Sequence, residues 1–537
     1  MKTIKLLRFA LLSSTLLSTS IYSQNLQNAI KNTDNELFTE SEKEFKKLIE
    51  IEPLNGANYF YLGENFYAQK EIDSAKVYWK KALEKDGVNP LSFVSLGKYL
   101  WISGDKNAAK ESFLKATSVT KNKNPEVLRN IAKTYITSDF KNYDEAIILL
   151  DLAIKLDPKN EENHLLMGDA LLGKTPDNAN NAIKSYNKVL DINSKSARGI
   201  VRVGKLYQRV NADSLANSYY LEAQKIDPNY APAYRENAEL FLNLNKPKKA
   251  IENWKKYLEL NNSIEARYRF ATALFSGKQF CEVLVELNDL KQKGFANFYT
   301  ERMLTYSYSE CSTDKESALK GLAASEQFFK IVPSDKINYL DYKYKSLLLV
   351  NAGQDSLAII EMENISTKDE NAKKELAGQL GKLYLKFKNY TKTIECYEYK
   401  KANSNLSATE YFELGRSYYF GPKNYVLADS CFSSLNKVSP SFAGGHFWRA
   451  RANLQLDANN EKWMAKPYYE KTYESIKPEE RLQGNNKAMT TESCQYLGNY
   501  YVNSSEKDIE KAKLYWKVVL EIDPNDAQAK LFFSKVK

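Results

Sequence analysis

One short phrase punctuates the chain. "IEPLNGANY" at 51–59, "LDPKNEENH" at 156–164, "IDPNYAPAY" at 226–234 and "IDPNDAQAK" at 522–530 each place an acidic residue before a proline, with asparagine close behind. The prolines stand at 53, 158, 228 and 524, so the intervals are 105, 70 and 296 residues, close to three times 35, twice 35 and eight times 37. Proline keeps the residue before it out of helical angles, so each phrase ends a helix. Recurrence at a fixed interval then demands an array of one unit rather than a set of unrelated domains. Composition agrees. The 537 residues hold only 21 Gly and 14 Pro with no Gly/Ser-rich linker, and 43% hydrophobic residues exclude wholesale disorder.

Aligning the prolines brings other residues into phase. "YFYLGENFY" at 59–67, "YFELGRSYY" at 411–419 and "CQYLGNYYV" at 494–502 share a Leu-Gly pair with an aromatic three residues after the glycine. Ala75, Trp79 and Ala82 follow Gly63; Ala109, Phe113 and Ala116 follow Gly97; Ala216, Tyr220, Ala223 and Pro228 follow Gly204. Leu62, Gly63 and Phe66 share one face of a first helix, and Ala75, Trp79 and Ala82 share one face of a second. Small Gly63 and Ala75 let the two axes approach while Trp79 fills the adjoining gap. "DSA" at 73–75 and "DSLA" at 213–216 and 355–358 put Asp or Ser where an N-cap would open the second helix.

This set of residues resembles the tetratricopeptide repeat, a helix-turn-helix unit of about 34 residues, and the resemblance covers nearly all of the chain after its first segment. It implies an all-α fold, a right-handed α-solenoid of stacked helix pairs. Further units are read around Ala132 and Ala146, Gly168 and Ala182, Ala238 and Ala250, Gly381 and Tyr397, Gly415 and Ala428, Ala452 and Ala465, and Gly498 and Ala512. Between 265 and 370 helical periodicity persists without the Gly and aromatic landmarks. The expected organisation is a signal peptide at 1–23, a repeat array at 24–264, degenerate repeat-like helices at 265–370 (or unrelated core helices of a second domain), and a second array at 371–537. "GGHFWRARANLQLD" at 444–457, followed by "AKPYYEKTYE", also looks like exported tetratricopeptide proteins of Gram-negative bacteria.

The start supports export. Lys2, Lys5 and Arg8 precede an apolar and Ser/Thr run from Phe9 to Tyr22, and small Ser23 precedes Gln24. Such a run is too short for a permanent membrane span and reads as a secretory signal cleaved after Ser23. The expected location is the periplasm, the outer membrane's periphery or the cell surface, with no transmembrane segment in the mature chain. Removing three leader cations from the formal charge of +10 leaves +7. Charges alternate in "KKLIEIE", "KKALEKD" and "KKYLELN" as on solvated helix faces, so no nucleic-acid partner is expected.

No catalytic constellation stands out in the sequence. No HExxH, GxGxxG or GxSxG occurs, and His164 and His446 are the only histidines; one stretch, "GDALLGKT" at 168–175, has the spacing GxxxxGK[ST] but falls on the first helix of the unit read around Gly168. The five cysteines include no CxxC pair. The expectation is a chain that is no enzyme, with no catalytic residues, metal or cofactor, and with a small-molecule ligand disfavoured. Cys281 should start one second helix and Cys311 end the next first helix, which marks them as a candidate disulfide; Cys396 and Cys431 are expected as core thiols.

The tetratricopeptide resemblance places partner binding on the concave surface, at first-helix positions flanking Leu-Gly. Carried over, these are Phe60, Glu64, Tyr67, Lys98, Trp101, Arg129, Lys133, Arg198, Lys205 and Arg235, with Phe412, Arg416 and Tyr419 near the end. Their cations and aromatics suit an acidic, extended protein or peptide segment; the alternative is a solvated lining with no fixed ligand. The position after the repeat glycine is Glu64, Lys98, Asp169, Lys205, Lys382 or Arg416, which departs from the Lys/Asn clamp known in this family. The functional expectation is a protein-binding scaffold of the cell envelope. Its rival is a glycan- or nutrient-binding envelope protein.

Overall fold

The computed structural model describes residues 24–536; the segment read as a signal peptide lies outside the described residues. Every regular element among the described residues is an α-helix or a short 3-10 turn. Helical residues 24–34 pair with Phe38–Ile51, Gly56–Ala68 with Ile72–Lys85, Pro90–Ile102 with Lys106–Val119, and so on, each helix packing chiefly on its hairpin partner. The chain divides into two compact units between Ala296 and Asn297. Among the described residues, eight helix pairs belong to the first unit, and six pairs and a last helix, Ala527–Lys535, to the second. This is an all-α repeat solenoid.

Local chemistry sets each hairpin. The Asn55 side chain accepts the Ala57 N–H at 3.1 Å and opens the helix Gly56–Ala68. The helix stops after Ala68, and Lys70, at φ 66°, turns the chain in the left-handed region. Ile72–Lys85 then runs back along it. A Cβ on Gly63 would lie 2.4 Å from Cδ1 of Trp79, so only glycine admits this approach; Trp79, Ala75 and Ala82 are fully buried beneath it. The same contact joins Gly97 to Phe113, Gly168 to Tyr186 and Gly498 to Trp516. The proline phrases close helices as expected: Tyr143–Leu156, Asp213–Ile226 and Ile509–Ile522 all end two residues before proline.

One expectation needs correction. Asp73, Asp213 and Asp355 are not N-caps, because the second helices already begin at Ile72, Asp213 and Asp355. The left-handed turn residues Lys70, Asn211 and Gly353 start those helices early, and the aspartates sit in the first turn against the positive end of the helix dipole. The blurred stretch keeps the pairing: Ile264–Ser276 with Phe280–Gln292, Phe298–Cys311 with Lys315–Ile331, and Tyr339–Asn351 with Asp355–Ser366. The landmarks vanish there because other residues fill the gap. Gly321, on a second helix, abuts Leu348 and Tyr308 in place of the usual first-helix glycine. No helix of the described residues is long and apolar enough to cross a membrane.

Candidate functional site

In the first unit the first helices of successive pairs line a groove enclosing about 890 Å³. Helix Ala197–Arg209 supplies its richest face. Arg198, Arg202, Lys205 and Arg209 recur at i, i+4, i+7 and i+11, which is one stripe of an α-helix. Lys133 and Arg235 bring the lining cations to six. Six carboxylates oppose them: Glu64, Glu162, Asp169 and Glu236 from the first helices, Asp34 from the end of helix 24–34, and Glu36 from the turn that leads to Phe38–Ile51.

Pairing follows the repeat. Arg202 grips Asp169 of the preceding pair with Nε at 3.0 Å and Nη2 at 3.2 Å, and the Tyr186 hydroxyl donates to the same carboxylate at 2.7 Å. Lys205 and Arg235 share Glu236 at 3.0 and 2.9 Å. Arg198 lies between Glu162 at 2.5 Å and Asp34 at 2.9 Å. The turn contacts span great sequence distances: Arg235 Nη2 reaches Glu36 at 2.9 Å, 199 residues away, and the Tyr257 hydroxyl donates to Glu36 at 2.7 Å across 221. Lys70, from the next turn, approaches Glu265 at 3.8 Å. Among the described residues, Lys133 and Arg209 form no ion pair.

The buried ions shift one another. Burial opposes the charge on Lys133, yet the carboxylates of Asp34, Glu162 and Glu64 outweigh it and raise the ammonium. Burial likewise opposes ionisation of Glu162, but Arg198, Lys133, Arg129 and Arg202 together hold its carboxyl down at about 2. Asp34 moves the other way, because burial lifts it against the pull of Arg198.

Of the ten expected groove residues, Glu64, Tyr67, Lys133, Arg198, Lys205 and Arg235 line this cavity. Phe60, Lys98 and Trp101 do not: they are 0, 1 and 3% exposed. The physical reason is that a first helix packs on the first helices of neighbouring pairs as well as on its own partner, so part of the face beside Leu-Gly is core. Phe60 stacks edge-on against Tyr61. The Trp101 indole donates to Ser138 Oγ at 3.0 Å and the Phe140 carbonyl at 2.9 Å, fastening the next hairpin's turn. Lys98 meets Glu64 at 2.7 Å and lies over the Tyr67 and Trp79 rings at 4.5 and 5.1 Å. Burial lowers its ammonium although Glu64 pulls upward. Arg129 is half-buried beside the groove and donates to Asn163 at 3.1 Å.

Sequence reasoning missed Arg202, Arg209, Asp169, Glu162 and Glu236. The first two were signalled by the helical stripe, and Asp169–Arg202 by opposite charges about one repeat apart. Asp34 and Glu36 had no sequence signal, since only the stacking of the intervening helix pairs brings them to Arg235. In the second unit, the Arg416 guanidinium lies 5.6 to 5.7 Å from the Phe412, Phe420 and Trp448 rings, and Tyr419 packs edge-on to Trp448. His446 is half-buried, with Nδ1 2.8 Å from Asn436 Nδ2, and burial lowers its pKa; His164 Nε2 lies 2.9 Å from the Pro158 carbonyl. Cys431 and Cys494 are buried free thiols pushed up to about 12, and half-buried Cys396 is pushed up to about 11.

The family model described as tetratricopeptide repeat matches residues 92–123, which cover most of the pair Pro90–Ile102 and Lys106–Val119 and the turn after it. No curated protein matches the chain. Among solved structures, the C-terminal part of a tetratricopeptide repeat-containing protein from Cytophaga hutchinsonii is 28% identical, over 49% of this chain and 98% of its own, with a TM-score of 0.40. A thermophilic tetratricopeptide protein of Thermus thermophilus is 18% identical over 34% and 98%, at 0.30. YrrB, described as having an unusual peptide-binding site, is 19% identical over 35% and 95%, at 0.23. With the family match at 92–123, and with the glycine-to-aromatic helix pairing repeated in both units, the chain is a tetratricopeptide-repeat protein.

Proposed function

We propose that this protein is a non-catalytic scaffold of the cell envelope that holds a segment of a partner protein in the groove of its first unit. One observation carries the reading: the cationic stripe Arg198, Arg202, Lys205 and Arg209 faces an 890 Å³ groove, with Arg209 and nearby Lys133 lacking ion-pair partners among the described residues. Cations with no carboxylate in direct contact, in a partly desolvated concavity, leave N–H donors for a partner that brings carboxylates. Fold family by itself leaves partner and process open, so the proposal rests on these residues. The leader-like first segment supports a location outside the cytoplasm, with Gln24 as the mature N-terminus.

Crosslinking and affinity capture from the envelope fraction tests it, comparing wild type with Lys133→Gln/Arg209→Gln. Neither side chain braces the fold through an ion pair, so helicity should persist while partner recovery falls at least about tenfold, the effect of losing roughly 1.4 kcal/mol. Undiminished recovery defeats the groove assignment, and recovery of the protein only from cytoplasm with residues 1–23 intact defeats the location.

A further inference from the structure

The groove already holds acidic chain. Asp34, the last residue of helix 24–34, and Glu36, two residues on in the short turn, supply two of the six lining carboxylates. Without them six cations would face four carboxylates. The turn is pinned at three points: Asp34 to Arg198 at 2.9 Å, Glu36 to Arg235 at 2.9 Å, and Glu36 to the Tyr257 hydroxyl at 2.7 Å. None of these lies in the nearest-neighbour packing that stabilises a stack of repeats. All join the first pair to the sixth and seventh, and they close the groove as a clasp.

Resting on the scaffold reading above, we propose that the partner's binding segment carries two carboxylates spaced as in Asp34-Asn35-Glu36, and that it competes with this clasp for Arg198 and Arg235. Charge complementarity argues for an acidic protein segment as occupant, because the site's own occupant shows which groups satisfy these guanidiniums. Arginine recognises carboxylates through paired N–H donors, as Arg235 does with Nε at 3.3 Å and Nη2 at 2.9 Å on Glu36. Opening breaks no helix. Small rotations distributed over the intervening pair interfaces separate the turn from its arginines, and the entering carboxylates take the turn's place on the guanidiniums. The clasp therefore keeps the groove charge-neutral until a ligand arrives, and it excludes ligands lacking two anions.

The test uses the full chain and a fluorescein-labelled peptide carrying Asp-Asn-Glu in tandem, with an Asn-Asn-Gln peptide as control. Asp34→Asn/Glu36→Gln should bind the acidic peptide at least tenfold more tightly than wild type. Saturating wild type with the peptide should speed hydrogen exchange in residues 24–37. Tyr257→Phe removes one clasp hydrogen bond, together with the one its hydroxyl accepts from Asn261 at 2.7 Å, and no groove charge, so it should shift affinity in the same direction and gives a second, single-residue check on the double variant. Equal affinities in all three chains, with exchange at 24–37 unchanged, overturn the competition while leaving the scaffold reading intact if Lys133→Gln/Arg209→Gln still weakens binding. Failure of every chain to bind the acidic peptide overturns the acidic occupant itself, and undiminished capture by Lys133→Gln/Arg209→Gln would then defeat the scaffold reading as well.

Discussion

Replacing Lys98 with methionine isolates what a buried charge does in a repeat interface. Lys98 is 1% exposed and Glu64, one repeat earlier, 7% exposed; their charged atoms lie 2.7 Å apart. The ammonium also lies over Tyr67 and Trp79, which shield it from water. Methionine preserves most of the volume but leaves the Glu64 carboxylate without its cation. Breaking one side of a buried pair costs about 3–5 kcal/mol, whereas replacing both sides with groups of similar size is often near neutral. Lys98→Met should therefore destabilise the local structure by about 3–5 kcal/mol, and Lys98→Met/Glu64→Gln by no more than about 1–2. Because a stack unfolds locally, hydrogen exchange in Gly56–Ala68, Ile72–Lys85 and Pro90–Ile102 is the suitable readout. The single variant should accelerate exchange there roughly a hundred- to several-thousand-fold, at about 1.4 kcal/mol per decade. Acceleration below about tenfold, or a double variant as unstable as the sum of its singles, would refute the argument that desolvation dominates this pair.

Gly63→Ala drives a methyl toward Trp79 and should cost about 1–3 kcal/mol by overpacking, partly offset by alanine's helix preference; Gly87→Ala, where the new atom meets only the Leu83 carbonyl at 3.6 Å, should be near neutral, and urea titration compares them. Glu162 is held at about 2 from an ordinary 4.5, so it stabilises the groove fully above pH 4.5 and loses that contribution, about 3 kcal/mol at most, as pH falls toward 2. Stability followed by circular dichroism should thus fall more steeply with acid in wild type than in Glu162→Gln, and parallel curves would refute the assignment. Cys281 is the second residue of Phe280–Gln292 and Cys311 the last of Phe298–Cys311, and we propose that they pair. Non-reducing mass mapping should recover a linked peptide with Cys431 and Cys494 slow to alkylate, and two freely alkylated thiols at 281 and 311 would end that idea.

The fold was legible because its signals are local and repeated. Pro158, Pro228 and Pro524 end helices, Asn55 opens one, and Gly63 with Trp79 records a helix-helix distance in two residues. The groove was only half legible. Arg198, Lys205 and Arg235 could be placed by helical phase, but Lys98 and Trp101 share that phase and are buried, because phase alone does not tell a solvent-facing position from one covered by the adjacent pair. Opposite charges one repeat apart were the available signal, as in Glu64 with Lys98 and Asp169 with Arg202. Asp34 and Glu36 had none. Their partners are fixed by the accumulated rotation of several pairs, a sum to which every interface contributes and which no single stretch of sequence records.

A row of helix pairs joined only to its neighbours behaves as a spring, soft to bending because each joint yields a little. Tying the turn at Asp34 and Glu36 to Arg198, Arg235 and Tyr257 makes that part of the spring a closed loop, in which bending one joint must be taken up by all the others. Mechanical compliance then depends on a few polar contacts, these three with Lys70–Glu265 and Lys31–Asp227 beside them, rather than on the core. Force applied across the first unit should meet a stiff response until those contacts part, and a soft one afterwards.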